Sequence, residues 1–323
     1  MSGFVQGFFI AQRNLPHPAL RPACRPSRPP ANLHVRMAFD GAPTEWSEAS
    51  KMYPITWRAR LLADKFRGYY PNTRFGDLAF GLLPGSLLRL LGRERTPITA
   101  IGTGTGACAV LWQTPIGSFW GREGDDEALK YIVVEQLSSI YSQPPADIHP
   151  GDIVIDLGAH VGSFARIAID RGAEKVISFE PNPISAECFA QNFATEIESG
   201  QVVLIQAAAW DEAGSLEFDR GGTRFGPSES PSSTAISVTA RTIDEVVESL
   251  SLPRVDFIKA DSEGSERHAL RGAQAVLSKH KPRMAICVYH LPDDKEVITG
   301  VITGADPSYK HFFAHDDEVG HYY

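Results

Sequence analysis

Residues 151–164 read GDIVIDLGAHVGSF. Ile153 to Ile155 is a short apolar, β-branched run closing on Asp156; Gly158 and Gly162 set a tight turn, and Phe164 to Ile169 opens an apolar-periodic helix. A second apolar run, Val176 to Phe179, ends at Glu180-Pro181. The stretch therefore predicts a βαβ unit with an acidic side chain at the tip of each strand. In an open parallel sheet, ligands sit outside the carboxyl ends of the strands, where a glycine turn lets them approach the backbone. A carboxylate at the second tip can accept both hydroxyls of a ribose, so the unit suits a nucleoside-containing cofactor.

The spacing narrows the choice. A dinucleotide site carries G-x-G-x-x-G with the pyrophosphate on the helix N-terminus, whereas this turn is Gly158-x-x-x-Gly162 with Asp156 just ahead of it. A fixed negative charge there repels a pyrophosphate and suits an ammonium and a sulfonium. At ~4 Å and an effective dielectric near 20 such a contact is worth about 4 kcal/mol before desolvation. S-adenosyl-L-methionine is the expected cofactor.

A chain of 323 residues with 43% hydrophobic content can bury a full α/β core. The net charge of −8 offers nothing to nucleic acid, although residues 1–39 carry five arginines and no acid, which leaves −13 for the rest. Cys24, Cys108, Cys188 and Cys287 are far apart without metal-ligand spacing, which predicts neither a zinc site nor a disulfide framework and fits a reducing cytoplasm. Nowhere do histidine and carboxylate residues fall at ligand spacing, so no metal is expected. No apolar run is long enough to span a bilayer, the run Leu78 to Leu91 being broken by Gly81, Pro84 and Gly85.

Residues 1–44 are rich in Pro and Arg and predict a disordered segment. Residues 45–124 predict helical pieces interrupted by Pro54, Pro71 and Pro84, then short hairpins between Ile98 and Trp120. The stripe within 86–93 is apolar enough to cover a core or to touch a membrane surface peripherally. GTGTG at 102–106 lacks the following Lys-Ser/Thr of a phosphate loop. Residues 126–141 predict an amphipathic helix with Leu129, Ile132, Val133, Leu137 and Ile140 on one face and Glu135 and Gln136 off it, a lid over the cofactor.

Further along, helices are expected over 183–197 and 267–278. Strands are expected at Val202 to Ile205, Leu216 to Phe218, Ile236 to Ala240, Val255 to Ala260 and Met284 to Tyr289, with a final hairpin from Tyr309 to Tyr323. Ala207 to Ala209 leave room for a flat ring or for close helix packing. Asp261 falls at another strand tip on the same rim as Asp156 and Glu180. Glu263 and Glu266 read as acids favoured in the first turn of a helix. The 219–233 loop is placed to close over an acceptor.

The segments VIDLGAHVGSF, VISFEPNP, VVLIQAAAWDEAG, TARTIDEVVESLSLPRVDFIKADSEGSERHALRGA and PRMAICVYHLPDD resemble, in order and spacing, the FkbM-type S-adenosylmethionine-dependent methyltransferases. The likeness covers residues 125–323. It implies a class I methyltransferase fold, a Rossmann-like seven-stranded, mostly parallel sheet with an antiparallel last strand and helices on both faces. It also implies methyl transfer to a hydroxyl of a small molecule or saccharide. By position, the resemblance makes Asp156, Gly158, Ala159, His160 and Gly162 the methionine-side loop. Glu180, with Pro181 and Asn182, becomes the ribose site, Ala208 and Ala209 the adenine edge, and Asp261 the residue near the sulfonium.

An alcohol must lose its proton to accept a methyl group. His290, or failing it Asp261, is expected to take it, since both fall on the cofactor rim and a histidine titrates near working pH. Two rivals stand beside this reading: an NAD-type oxidoreductase on the same sheet, and a binding protein that keeps the fold without catalysis.

Overall fold

The computed structural model describes residues 96–106, 108–218, 236–315 and 317–323. The Pro/Arg-rich segment, the helical pieces before residue 93, the 219–233 loop and Cys24 lie outside the described residues.

A three-stranded antiparallel meander comes first, β1 (Thr99–Thr103), β2 (Val110–Thr114) and β3 (Gly117–Gly121), followed by α1 (Asp126–Leu137). The predicted βαβ unit is β4 (Ile153–Leu157), α2 (Ser163–Asp170) and β5 (Lys175–Phe179). After it come α3 (Pro183–Asn192), α4 (Ala194–Glu198), β6 (Val202–Ile205), β7 (Ala208–Ala209), β8 (Gly214–Phe218), β9 (Ile236–Arg241) and α5 (Ile243–Ser249). The chain then runs through β10 (Phe257–Ala260), α6 (Glu266–Arg271), α7 (Gln274–His280), β11 (Arg283–Cys287), α8 (Asp294–Ala305), β12 (His311–Ala314) and β13 (Val319–Tyr322).

The main sheet has the order β6-β5-β4-β10-β11-β13-β12. Its first five strands are parallel, and β13 runs antiparallel to both neighbours. This is the expected seven-stranded sheet with its antiparallel last strand. From β4 the chain moves outward to β5 and β6, then returns to place β10 on the other side of β4. The strand order reverses there, and a ligand crevice opens at such a switch point.

Alternation along the strands explains why these runs are apolar throughout. Ile153, Ile155 and Leu157 join α5–α8 in one core, with Val246, Leu270, Leu277 and Ile298. Val154, Val176 and Phe257 join the opposite core with Phe164 and Ala168 of α2 and Phe189 of α3. A parallel sheet covered on both faces has no polar side to show. The meander shares a third core with α1, α2 and α3 through Phe119, Leu129, Val133, Ile167 and Cys188. Asn192 locks it there, its amide donating to Trp120 O and Val161 O while its Oδ1 accepts from Trp120 N.

Three helix expectations are corrected. The 183–197 helix breaks at Phe193, whose ring stacks on Phe189 at 4.6 Å and fills the space beside Gly162. The 267–278 helix breaks at Gly272, where an added Cβ would lie 2.0 Å from Trp210 O. The 126–141 helix stops at Leu137, and the chain turns through Ser139 at φ 54. That turn covers the face expected to be solvated, so Glu135 and Gln136 are buried.

Candidate active site at the strand tips

Strands β5, β4 and β10 are neighbours, and Glu180, Asp156 and Asp261 fall at their carboxyl ends. The two turns beside the switch point touch through backbone alone. Gly158 has φ +73, and an added Cβ would lie 1.9 Å from Asp261 O, so only glycine fits.

Glu180 is oriented by the chain itself. Its Oε2 accepts from His160 N at 2.7 Å and its Oε1 from Asn182 N at 2.8 Å. Burial pushes the carboxyl up to about 7 even though these two amides pull it down. Each oxygen keeps a lone pair for a further donor. Asn182 also caps α3 by accepting from Ile184 N, and Pro183 at the start of the helix has no amide to satisfy. The βα turn spends its amides internally: Gly158 N and Ala159 N donate to Phe179 O, and Gly162 N to Ala159 O.

Asp156 differs from the expectation. It is 0% exposed and lies inside β4, with Lys259 Nζ of β10 3.2 Å from its Oδ1. Lys259 is 4% exposed and also donates to Leu157 O at 3.1 Å and Gly158 O at 2.9 Å. Burial raises the Asp156 carboxyl above its ordinary value, against the pull of the ammonium. Burial alone would lower the lysine, but Asp156 and Asp261 together hold it above its ordinary value. The negative charge that sequence reasoning offered to a ligand is thus answered within the fold. Its place is to anchor the glycine turn.

Asp261 Oδ2 accepts from the Tyr141 hydroxyl at 2.7 Å. Its Oδ1 stands 3.6 Å from His290 Nε2, and on the other side of the imidazole Glu266 Oε1 lies 3.1 Å from Nδ1. Glu263 Oε2 is 3.8 Å from Nε2. Burial by itself lowers the His290 pKa, but Glu266, Asp261 and Glu263 outweigh it and carry it up to about 9. The structure does bring His290 and Asp261 together, yet at neutral pH His290 holds its proton. The expectation that it is the first proton acceptor is therefore revised in favour of Asp261.

Ala208 and Ala209 belong to β7, which pairs with β9 in a second sheet of order β7-β9-β8. Ala208 packs on Phe218 and Val238, and Ala209 lies in the main core. Of the two readings of these small residues, close packing is the one with observed partners.

Sequence reasoning missed Lys259, Tyr141 and the buried Glu135, whose Oε2 is 3.5 Å from the Tyr141 hydroxyl. Lys259 had a signal, a lysine inside the apolar run VDFIKA; Tyr141 had none. Glu266 is not merely a helix-dipole residue: its Oε1 accepts from Ser262 N and faces His290. Ligating atoms of Asp261, Glu266 and His290 lie within 4.8 Å of one another, a cluster that the sequence spacing did not suggest.

Residues 156–316 match the family model described as the methyltransferase FkbM domain. The chain belongs to the FkbM methyltransferase family. The hexuronic acid methyltransferase AglP of Haloferax volcanii is 27% identical over 156 residues, which are 48% of this chain and 62% of that protein. The chain thus spans less than two thirds of that curated relative. Among solved structures, the methyltransferase FkbM from Methylobacillus flagellatus is 21% identical over 63% of this chain and 56% of its own, with a TM-score of 0.42. Aeropyrum pernix fibrillarin, solved with natively bound S-adenosyl-L-methionine, is 14% identical over 54% of this chain and 66% of its own, with a TM-score of 0.35. Among the described residues of the FkbM chain, no helix is long and apolar enough to cross a membrane.

Proposed function

We propose that the protein transfers a methyl group from S-adenosyl-L-methionine to a hydroxyl of a saccharide or other small molecule. The observation that carries this is Glu180, a buried carboxylate preset by two backbone amides at the tip next to the switch point. Its remaining lone pairs suit the two hydroxyls of a ribose. Four amides of the βα turn, Gly158 N, Ala159 N, His160 N and Gly162 N, are spent on Phe179 O, Glu180 and Ala159 O, which withholds them from a pyrophosphate. That argument against an NAD-type ligand replaces the charge of Asp156, which Lys259 cancels.

When bound, the cofactor supplies an electrophilic methyl on a good leaving group. Glu180 holds the ribose, the Gly158 turn fixes the distance between β4 and β10, and Asp261 stands nearest the acceptor. The Tyr141 hydroxyl holds the Asp261 carboxylate in one orientation. Asp261 would take the proton of the acceptor hydroxyl, while His290 keeps its own proton and steadies the ionised carboxylates around it. Holding the acceptor in line supplies much of the rate.

A saccharide acceptor is supported by the name of the AglP relative. Incubating the protein with the methyl donor and a panel of sugars, glycolipids and polyketides, and weighing the products by mass spectrometry, tests this. A mass gain of one methylene on a saccharide is expected; no gain on any acceptor, from protein that binds the donor, would refute the assignment.

A further inference from the structure

Asp261 follows β10, Glu266 opens α6 and His290 lies just beyond β11. β10 and β11 are adjacent parallel partners, so residues far apart in the chain meet at one corner. The distances from His290 Nε2 to Asp261 Oδ1 and Glu263 Oε2, 3.6 and 3.8 Å, are too long for hydrogen bonds. One ligand atom each from Asp261, Glu266 and His290 lies within 4.8 Å of the others, a spread that one ion with bonds of roughly 2.1–2.4 Å can bridge.

Glu266 supplies an independent observation. It is 0% exposed, its Oε1 is placed beside the imidazole and accepts from Ser262 N, and its Oε2 has no hydrogen-bond partner. A buried carboxylate oxygen without a donor is costly. The neighbouring cations are already engaged: Arg267 by Asp293 and Asp294, and Lys259 by Asp156.

We propose that Asp261, Glu266 and His290 form a binding site for one divalent cation. Two carboxylates and an imidazole, whose proton the incoming ion displaces, make a mixed oxygen and nitrogen set, which suits Mn²⁺ or Mg²⁺ better than a thiolate-seeking metal. Asp261 is the most open of the three, with a side chain 24% exposed, so the ion keeps positions for outside oxygen ligands. Resting on the function proposed above, those ligands are hydroxyls of the acceptor. The ion lowers the pKa of the bound hydroxyl, the O–H bond still breaks toward the Asp261 carboxylate, and the forming alkoxide is held by the ion until it takes the methyl.

The test is a Mn²⁺ titration of the full chain followed by electron paramagnetic resonance, with no methyl donor present. One Mn²⁺ per chain, displaced by excess Mg²⁺, is expected, with affinity weakened about 10–100-fold in Asp261→Asn and Glu266→Gln. Asp261→Asn is the safer variant because its site is partly open and the Tyr141 bond survives; circular dichroism checks the fold of both. A wild-type chain that binds no Mn²⁺ at millimolar concentration overturns the proposal, as do folded variants that bind it like wild type. Calorimetric titration with S-adenosyl-L-methionine in metal-free buffer separates the two claims. Cofactor binding without any Mn²⁺ site would sink the metal proposal and leave the methyl-transfer reading standing.

Discussion

Replacing Lys259 by methionine keeps the length of the side chain and removes its charge, which leaves Asp156 fully buried without its counter-ion at 3.2 Å. The carboxylate then avoids an isolated buried charge by taking a proton. From its ordinary value of 3.8, protonation at pH 7 costs about 4 kcal/mol and at pH 5 about 1.5 kcal/mol. The first figure agrees with the ~3–5 kcal/mol found when one partner of a buried pair is removed. A buried carboxyl with a raised pKa favours folding at low pH, and that contribution is lost as pH rises through the unfolded value toward the folded one. Lys259→Met widens the gap, so its penalty must grow between pH 5 and pH 7. Urea unfolding followed by tryptophan fluorescence at both pH values measures it, and adding Asp156→Asn to the variant should recover most of the loss. A penalty under about 1 kcal/mol, or one that is the same at both pH values, would refute the reasoning.

Gly162→Ala should destabilise the protein by about 2–5 kcal/mol in the same unfolding assay, because φ is +96 and the new Cβ meets the buried Phe193 ring at 2.1 Å. Cofactor affinity should climb roughly tenfold per pH unit up to about 7 and then level off, as Glu180 ionises and can accept from both ribose hydroxyls. Glu180→Gln should flatten that calorimetric profile, and a profile unchanged by the variant would remove Glu180 from the ribose site. Asp261→Asn should lower kcat by about 10²–10⁴ with cofactor affinity little changed, read by product formation in the absence of added metal.

The succession of strands along the chain and the glycine turn were legible because periodicity and turn chemistry are local. The same locality put Glu180 and Asp261 on one rim, since a parallel sheet collects the ends of its strands on one side. What stayed hidden depended on which strands became neighbours. Lys259 and Asp156 lie opposite each other only because β10 pairs with β4. His290 meets Asp261 and Glu266 only because β11 takes the other side of β10. The breaks at Phe193 and Gly272 were equally unreadable, since each is set by a partner distant in the chain: Gly162 for one, Trp210 for the other. Glu135 looked solvated on a helical projection and is buried because the chain doubles back just after the helix ends.

Calorimetric titration of the wild-type chain and of Glu180→Ala with S-adenosyl-L-methionine and with NAD tests the central claim most directly. The account predicts saturable binding of the sulfonium cofactor, none of NAD, and loss of the former in the variant. Binding of NAD by the wild type, or S-adenosyl-L-methionine affinity that survives the loss of the Glu180 carboxylate, would contradict it.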